Sequence, residues 1–196
     1  GFARAVVNKY SGNVRVRSKG EKKWHPVNLK ESLGAGDEIE TGPDGKIKIV
    51  LESGRVVNLK PNSHLLIRKL SLDLKKDKRE DLLESLRGQI RARIEKSRKE
   101  SKLEIQTPVA VAAVRGTTLY FYISPDGSSS FFEGGTGSLT SLISKAMAMV
   151  NAGQNASVDS QGNLTGPFDT TDEQSEDLDQ GWDPDGDYGY SEPEGG

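Results

Sequence analysis

Lys46-Ile47-Lys48-Ile49-Val50-Leu51-Glu52-Ser53-Gly54-Arg55-Val56-Val57-Asn58-Leu59 decides the fold class. Ile47, Ile49 and Leu51 alternate with Lys46, Lys48 and Val50, and Val57 and Leu59 resume the apolar beat after Gly54. A period of two puts one face in a core and the other in water. Ser53-Gly54 between two such runs reads as a tight hairpin, because glycine supplies the positive φ that the turn needs. Outward from this stretch the pattern repeats. Val14 and Val16 alternate with Arg15 and Arg17, and Leu65 and Ile67 follow the corner Pro61-Asn62-Ser63. Ser11-Gly12, Lys19-Gly20, Pro43-Asp44-Gly45 and Pro125-Asp126-Gly127 punctuate the runs with turn formers. Strands at this spacing define an all-β body: a twisted roll, a solenoid or a sandwich.

Farther along, Ile90, Ala92 and Ile94 alternate with charged residues, and Leu103, Ile105 and Thr107 follow. Val109–Ile123 is the most apolar stretch, broken by Arg115-Gly116-Thr117. Its Leu119-Tyr120-Phe121-Tyr122-Ile123 favours strand on both faces, which predicts a central strand. Two segments read differently. Leu74, Leu82, Leu83 and Leu86, in the charged stretch from Asp73 to Arg87, share one helical face. The expectation is a helical insertion at about 75–88, with helix over 77–87 stopped by Gly88. Residues 138–151 fit a strand pair or a short helix equally. Ala156, Val158 and Leu164, turned at Gln161-Gly162-Asn163, give a last weak strand pair.

Charge divides the chain. Residues 169–196 hold eleven acids and no Lys or Arg. All 27 basic residues therefore fall in the remainder, against 18 of the 29 acids, about +9. The expected organisation is a β domain over 1–168 and an acidic, low-complexity, disordered tail over 169–196. Such a tail can also fold back on a basic body, bind cations or bind a partner. Asp183, Asp185 and Asp187 alternate, and Glu194 stands at the twelfth position of a calcium-type loop, but Tyr188 occupies the sixth, where that loop needs glycine. Ca²⁺ on Asp183, Asp185, Asp187 and Glu194 is the one metal expectation; no other cofactor is expected.

Several chemistries have no residues to run on. Cysteine is absent, which excludes disulfides, thiolate nucleophiles and thiolate metal sites. There are two histidines, His25 and His64, and both read as packing residues at strand edges. Neither a phosphate loop nor a nucleophile elbow occurs. Asp37-Glu38-Ile39-Glu40 pairs carboxylates, but neighbouring strand positions point to opposite faces. No apolar run approaches the length of a membrane span. The basic stretch 75–102 lacks an aromatic to stack on bases, which speaks against nucleic acid. No enzyme is expected.

Ordered motifs carry a resemblance. Trp24-His25-Pro26-Val27, Leu33, Gly36-Asp37-Glu38-Ile39-Glu40-Thr41-Gly42, Gly45–Leu51 with Ser53-Gly54, and Leu59-Lys60-Pro61-Asn62-Ser63 come in sequence. Thr107-Pro108-Val109 through Arg115-Gly116-Thr117 and Ala152-Gly153-Gln154 follow. Over about 12–165 the chain resembles the FecR domain family. The resemblance implies an extracytoplasmic, all-β, non-enzymatic domain: periplasmic, on the cell surface or secreted, with the export signal outside this sequence. Founding members are membrane-anchored sigma-factor regulators that relay a signal from an outer-membrane receptor. They carry a helical anti-sigma segment and a membrane span ahead of the domain, and a small α/β subdomain after it, none of which this sequence contains. The expected function is a binding or assembly module acting through protein or cell-surface contacts, self-association by sheet edges included. The alternative is the periplasmic sensor part of a sigma-regulatory system. The motif residues read as structural. Gly36 and Gly42 bracket a strand, Asp37 accepts backbone amides as an Asx turn, and Pro61-Asn62-Ser63 fixes a corner. Arg115, inside an apolar run, is expected to be buried and paired with carbonyls or an acid such as Asp37, since an unpaired buried guanidinium costs several kcal/mol. Its alternative role is to anchor a ligand.

Overall fold

The computed structural model describes residues 3–94, 98–115 and 118–186. The alternating runs become seventeen strands. They are β1 (Ala5–Ser11), β2 (Val14–Arg17), β3 (His25–Pro26), β4 (Ser32–Leu33), β5 (Glu38–Thr41), β6 (Lys46–Leu51), β7 (Arg55–Leu59), β8 (His64–Asp73) and β9 (Lys78–Ile94). Then come β10 (Glu100–Gln106), β11 (Ala110–Arg115), β12 (Thr118–Ser124), β13 (Gly127–Glu133), β14 (Thr136–Ser141), β15 (Met147–Asn151), β16 (Gln154–Asp159) and β17 (Leu164–Asp169). One helix, α1 (Asp172–Leu178), closes the described chain.

The strands form two open sheets joined through β9. The first runs β3-β2-β5-β8-β9-β10-β11-β14-β15. The second runs β4-β1-β6-β7-β9-β12-β13-β16-β17. All pairs are antiparallel except β9 with β10. Inward residues of both sheets, such as Val16, Ile39, Leu65 and Ile105 from one and Val7, Ile49, Leu59 and Phe121 from the other, merge into one buried cluster. That is a sandwich, one of the architectures the sequence leaves open.

The helical insertion expected at 75–88 is strand. Residues 78–87 of β9 pair with β8, residues 88–92 with β12 and residues 90–94 with β7. Its buried positions Arg79, Asp81, Leu83 and Ser85 alternate, but three are polar, so the period of two is invisible to a count of apolar residues. Leu82 and Leu86 lie on the outer face, and the helical spacing of the leucines is incidental. Gly88 does not end a helix; at φ +88° it is where the strand passes from one sheet to the other. Residues 138–151 resolve to strands, β14 and β15.

The tail is also corrected, as far as residue 186. β17 reaches Asp169, and Thr171 caps α1 in a box with Gln174. Leu178 and Trp182 are 7% and 1% exposed. Two large apolar anchors among eight acids leave the average composition that of a disordered segment while still giving it a packed face.

Candidate functional site: contact surfaces and the corner that fixes them

Of the motif residues, Thr41, Gly42 and Pro61-Asn62-Ser63 gather where β9 passes between the sheets, whereas Asp37, Thr107-Pro108, Trp24 and Arg115 stand at separate places. Thr41 donates from Oγ1 to the Lys60 carbonyl at 2.8 Å and accepts the Ser63 amide at 2.8 Å. Ser63 Oγ accepts the Gln89 amide at 3.0 Å. Asn62 takes φ +57°, the left-handed region asparagine tolerates. Thr41, Pro61-Asn62-Ser63 and Gly88 thus lock the bend of β9, and Gly42 takes its amide to the Asn13 carbonyl beside them. Asp37 accepts the amides of Lys19 and Gly34, each at 2.8 Å, and fixes the corner at Gly36, whose φ is +96°. Thr107 accepts the amides of Val109 and Ala110 and the Ser128 hydroxyl around Pro108.

Trp24 lies over Arg15 and Arg17, their guanidinium carbons 4.8 and 4.9 Å from its ring, with the His64 ring edge-on. Below it Arg15 pairs with Glu40, and Arg17 and His64 pair with Glu38, at 2.6–2.7 Å. Burial pushes these carboxyls upward, but the hydrogen bonds from Arg17 and His64 to Glu38 and from Arg15 to Glu40 outweigh it, and both end below the usual range. His25 holds Glu31 at 2.8 Å.

Arg115 is corrected. It is exposed at the end of β11, because alternation sends Val114 inward and Arg115 outward, and Asp37 is held by amides instead. Gly116 and Thr117, and Asp187 and Glu194 of the calcium set, lie outside the described residues. Asp183 accepts the Asp185 amide, and Asp185 pairs with Lys9 at 2.9 Å. Among the described residues no group of three His, Asp or Glu converges as a metal cluster, and no helix is long and apolar enough to cross a membrane.

Two surfaces went unseen in the sequence. The first is the outer face at the β15 edge of the first sheet. Met147 and Met149 are 60% and 58% exposed and, with Ala113 and Ser138 as floor and Lys102 and Arg115 as rim, bound a cleft of about 260 Å³. The second is the outer face of the second sheet, where the tail docks. Tyr120, Leu178 and Trp182 bury one another, with Tyr122 and Phe131 against them. Lys60 Nζ and the Arg91 guanidinium lie 4.5 and 5.4 Å from the Trp182 ring. The Tyr120 hydroxyl donates to Asp179 and, at 3.0 Å, approaches Glu133; burial and these carboxylates push it far above its ordinary value. Burial raises Tyr122 to about 12.

Inside the sandwich a charged network closes one end. Arg55 donates to Asp81 at 3.0 Å, Ser53 to the same oxygen at 2.9 Å, and Arg79 to the Ser53 carbonyl at 2.9 Å. Burial lifts the Asp81 carboxyl and lowers Arg55, while each holds the other toward its charged form. Nothing in the sequence signals this network, since each hydrogen-bonded pair in it is separated by 26 or more residues.

The fold is thus an open sandwich braced at a polar corner, with Glu38, Glu40 and Asp81 each paired with basic side chains. The family model for FecR protein matches residues 37–135, half of the sequence, and the chain belongs to the FecR family. Two crystal structures of a candidate anti-sigma factor from Parabacteroides distasonis ATCC 8503 share the fold. Their TM-scores are 0.54 and 0.53, at 14% and 15% identity, over 68% of this chain and 60% of theirs. The chain thus spans well under two thirds of those structures. Comparison with curated proteins gives no match.

Proposed function

We propose that this chain is a non-catalytic, extracytoplasmic protein-binding module that serves as the sensor part of a sigma-factor regulatory system. The observation that carries the binding role is the β15 edge. A strand edge without a further ladder partner among the described residues, bearing two exposed methionines beside a shallow cleft rimmed by Lys102 and Arg115, is suited to adding a partner strand and seating its side chains. Methionine surfaces adapt to varied apolar partners. Family membership supports the periplasmic setting, and the likeness to the candidate anti-sigma factor favours sigma regulation over a purely structural surface role. A wider reading, assembly on the cell surface through sheet edges, is favoured by β17, which has no further ladder partner among the described residues and where Phe168 is 57% exposed.

The test compares transcripts of native cells with and without this chain, and with Met149→Asp. The sensor reading expects one set of promoters, sharing one alternative sigma factor, to change in both altered strains. Unchanged transcripts with a lost surface assembly would overturn it in favour of the wider reading.

A further inference from the structure

The outer face of the second sheet is built to hold a peptide. Tyr120, Tyr122 and Phe131 stand in a patch beside Lys60 and Arg91, and Val56 and Asn58 lie buried on the same face. The occupant is the chain's own acidic segment. Both cations lie against the Trp182 ring, and the Asn58 side-chain amide reaches the Trp182 carbonyl at 3.4 Å. Asp179 meets the Tyr120 hydroxyl and Asp185 meets Lys9. Aromatic anchor, cations on its ring and acids around it form a complete recognition pattern.

The fit is nevertheless loose. A helix of seven residues does not persist in water by itself, so the face supplies the order of α1. A partly open cleft of about 110 Å³ remains between α1 and the sheet, lined by Tyr120, Phe131, Phe132 and Leu178 among others. Arg91 Nε is buried with no hydrogen-bond partner among the described residues. The segment is attached at one end only within the described chain, through Asp169–Thr171 after β17.

We propose that this face is a docking surface for an acidic segment with an aliphatic and an aromatic residue four apart, that residues 171–186 hold it in cis, and that the same segment of a second copy exchanges into it. This deepens the protein-binding reading above and rests on it. A second copy is the occupant that the structure itself vouches for, since its segment meets the same Tyr120, Lys60 and Arg91. Exchange of an identical element between copies is a low-cost route to a dimer. The tethered segment has an effective concentration near millimolar, so exchange needs high protein concentration or a weakened cis contact.

The test uses a fluorophore-labelled peptide of residues 169–186 and the full chain, wild type and Trp182→Ala. The Trp182→Ala chain is expected to bind the peptide saturably and at least tenfold more tightly than wild type, whose face is filled. The same peptide with Trp182→Ala loses at least tenfold in affinity. Sedimentation of wild type shows dimers growing with concentration, absent from Trp182→Ala. A folded Trp182→Ala chain that does not bind, or equal binding of both peptides through plain charge attraction, overturns the docking surface. Peptide binding with wild type monomeric at every concentration overturns the second copy as occupant. Should Trp182→Ala lose its β circular-dichroism spectrum, the pair Asp179→Asn and Asp185→Asn replaces it with the same expectations. None of these results touches the transcript test, so the two readings fail separately.

Discussion

Gly88 shows how much of this fold can depend on a missing side chain. Its φ of +88° lets β9 turn from one sheet into the other, and a Cβ there would lie 2.5 Å from Ser63 Cα and 2.7 Å from the Asn62 carbonyl oxygen. Both neighbours are backbone held by the Thr41–Ser63–Gln89 bonds, so neither can yield cheaply. Gly88→Ala is expected to cost about 3 kcal/mol in chemical denaturation. Asp81 shows the opposite dependence, on a group that must be present. Asp81→Ala strands Arg55 and leaves Arg79 without its nearest buried carboxylate, and should cost about 3–5 kcal/mol. Replacing the pair together, Arg55→Met with Asp81→Leu, should cost clearly less, because no buried charge is then orphaned at Arg55. A denaturation cycle over the three variants measures the difference.

At the scale of elements, α1 and the ladder beneath Trp24 illustrate two kinds of marginal support. Thr171 accepts the Gln174 amide at 3.1 Å, and the Gln174 side chain accepts the Thr171 amide at 3.0 Å. Thr171→Ala removes one half of that box and should weaken the helix by about 1 kcal/mol. Hydrogen exchange of residues 172–178 should quicken while the global unfolding midpoint stays in place, because the core does not include α1. Glu38 and Glu40 give a pH signature. Their folded values lie below the ordinary 4.5, so their contribution is complete above that value and is lost as the pH falls through the lowered folded values. Wild type should therefore lose stability as the pH falls below about 4.5, and Glu38→Gln with Glu40→Gln should flatten that slope in denaturant titrations at each pH.

Across the whole molecule, β9 is the shared member. It pairs with β8 and β10 in one sheet and with β7 and β12 in the other, and Ile90 and Ala92 stand fully buried where the second sheet is widest. The amides of residues 90–92 lie between β7 and β12 in the middle of the second sheet, so no opening at a sheet edge releases them. Native-state exchange should find the amides of residues 88–92 slowest, opening only with global unfolding, and the edge strands β15 and β17 much faster. Equal protection along β9 and β15 would contradict this hierarchy.

What the sequence by itself determined is whatever local chemistry can express. Alternation at Ile47–Leu51, Val14–Val16 and Leu103–Ile105 made these strands, since pleated backbone sends neighbours to opposite faces. Ser53-Gly54 and Gln161-Gly162-Asn163 made their turns, since φ is a local property, and the order of the motifs pointed to the FecR family before any pairing was visible. Tertiary structure decided the rest. β9 is strand although its leucines have helical spacing, because Arg79 and Asp81 can face inward only where Arg55 and Ser53 arrive from another strand to meet them. Arg115 points out because of its parity along β11, which the next residues of an apolar run conceal. The acidic segment as far as residue 186 is ordered because a face of aromatics from β12 and β13 and cations from β9 and from Lys60, just after β7, receives Trp182 and Leu178. Composition averages over a segment, whereas burial is settled by one or two anchors and by what waits for them across the fold.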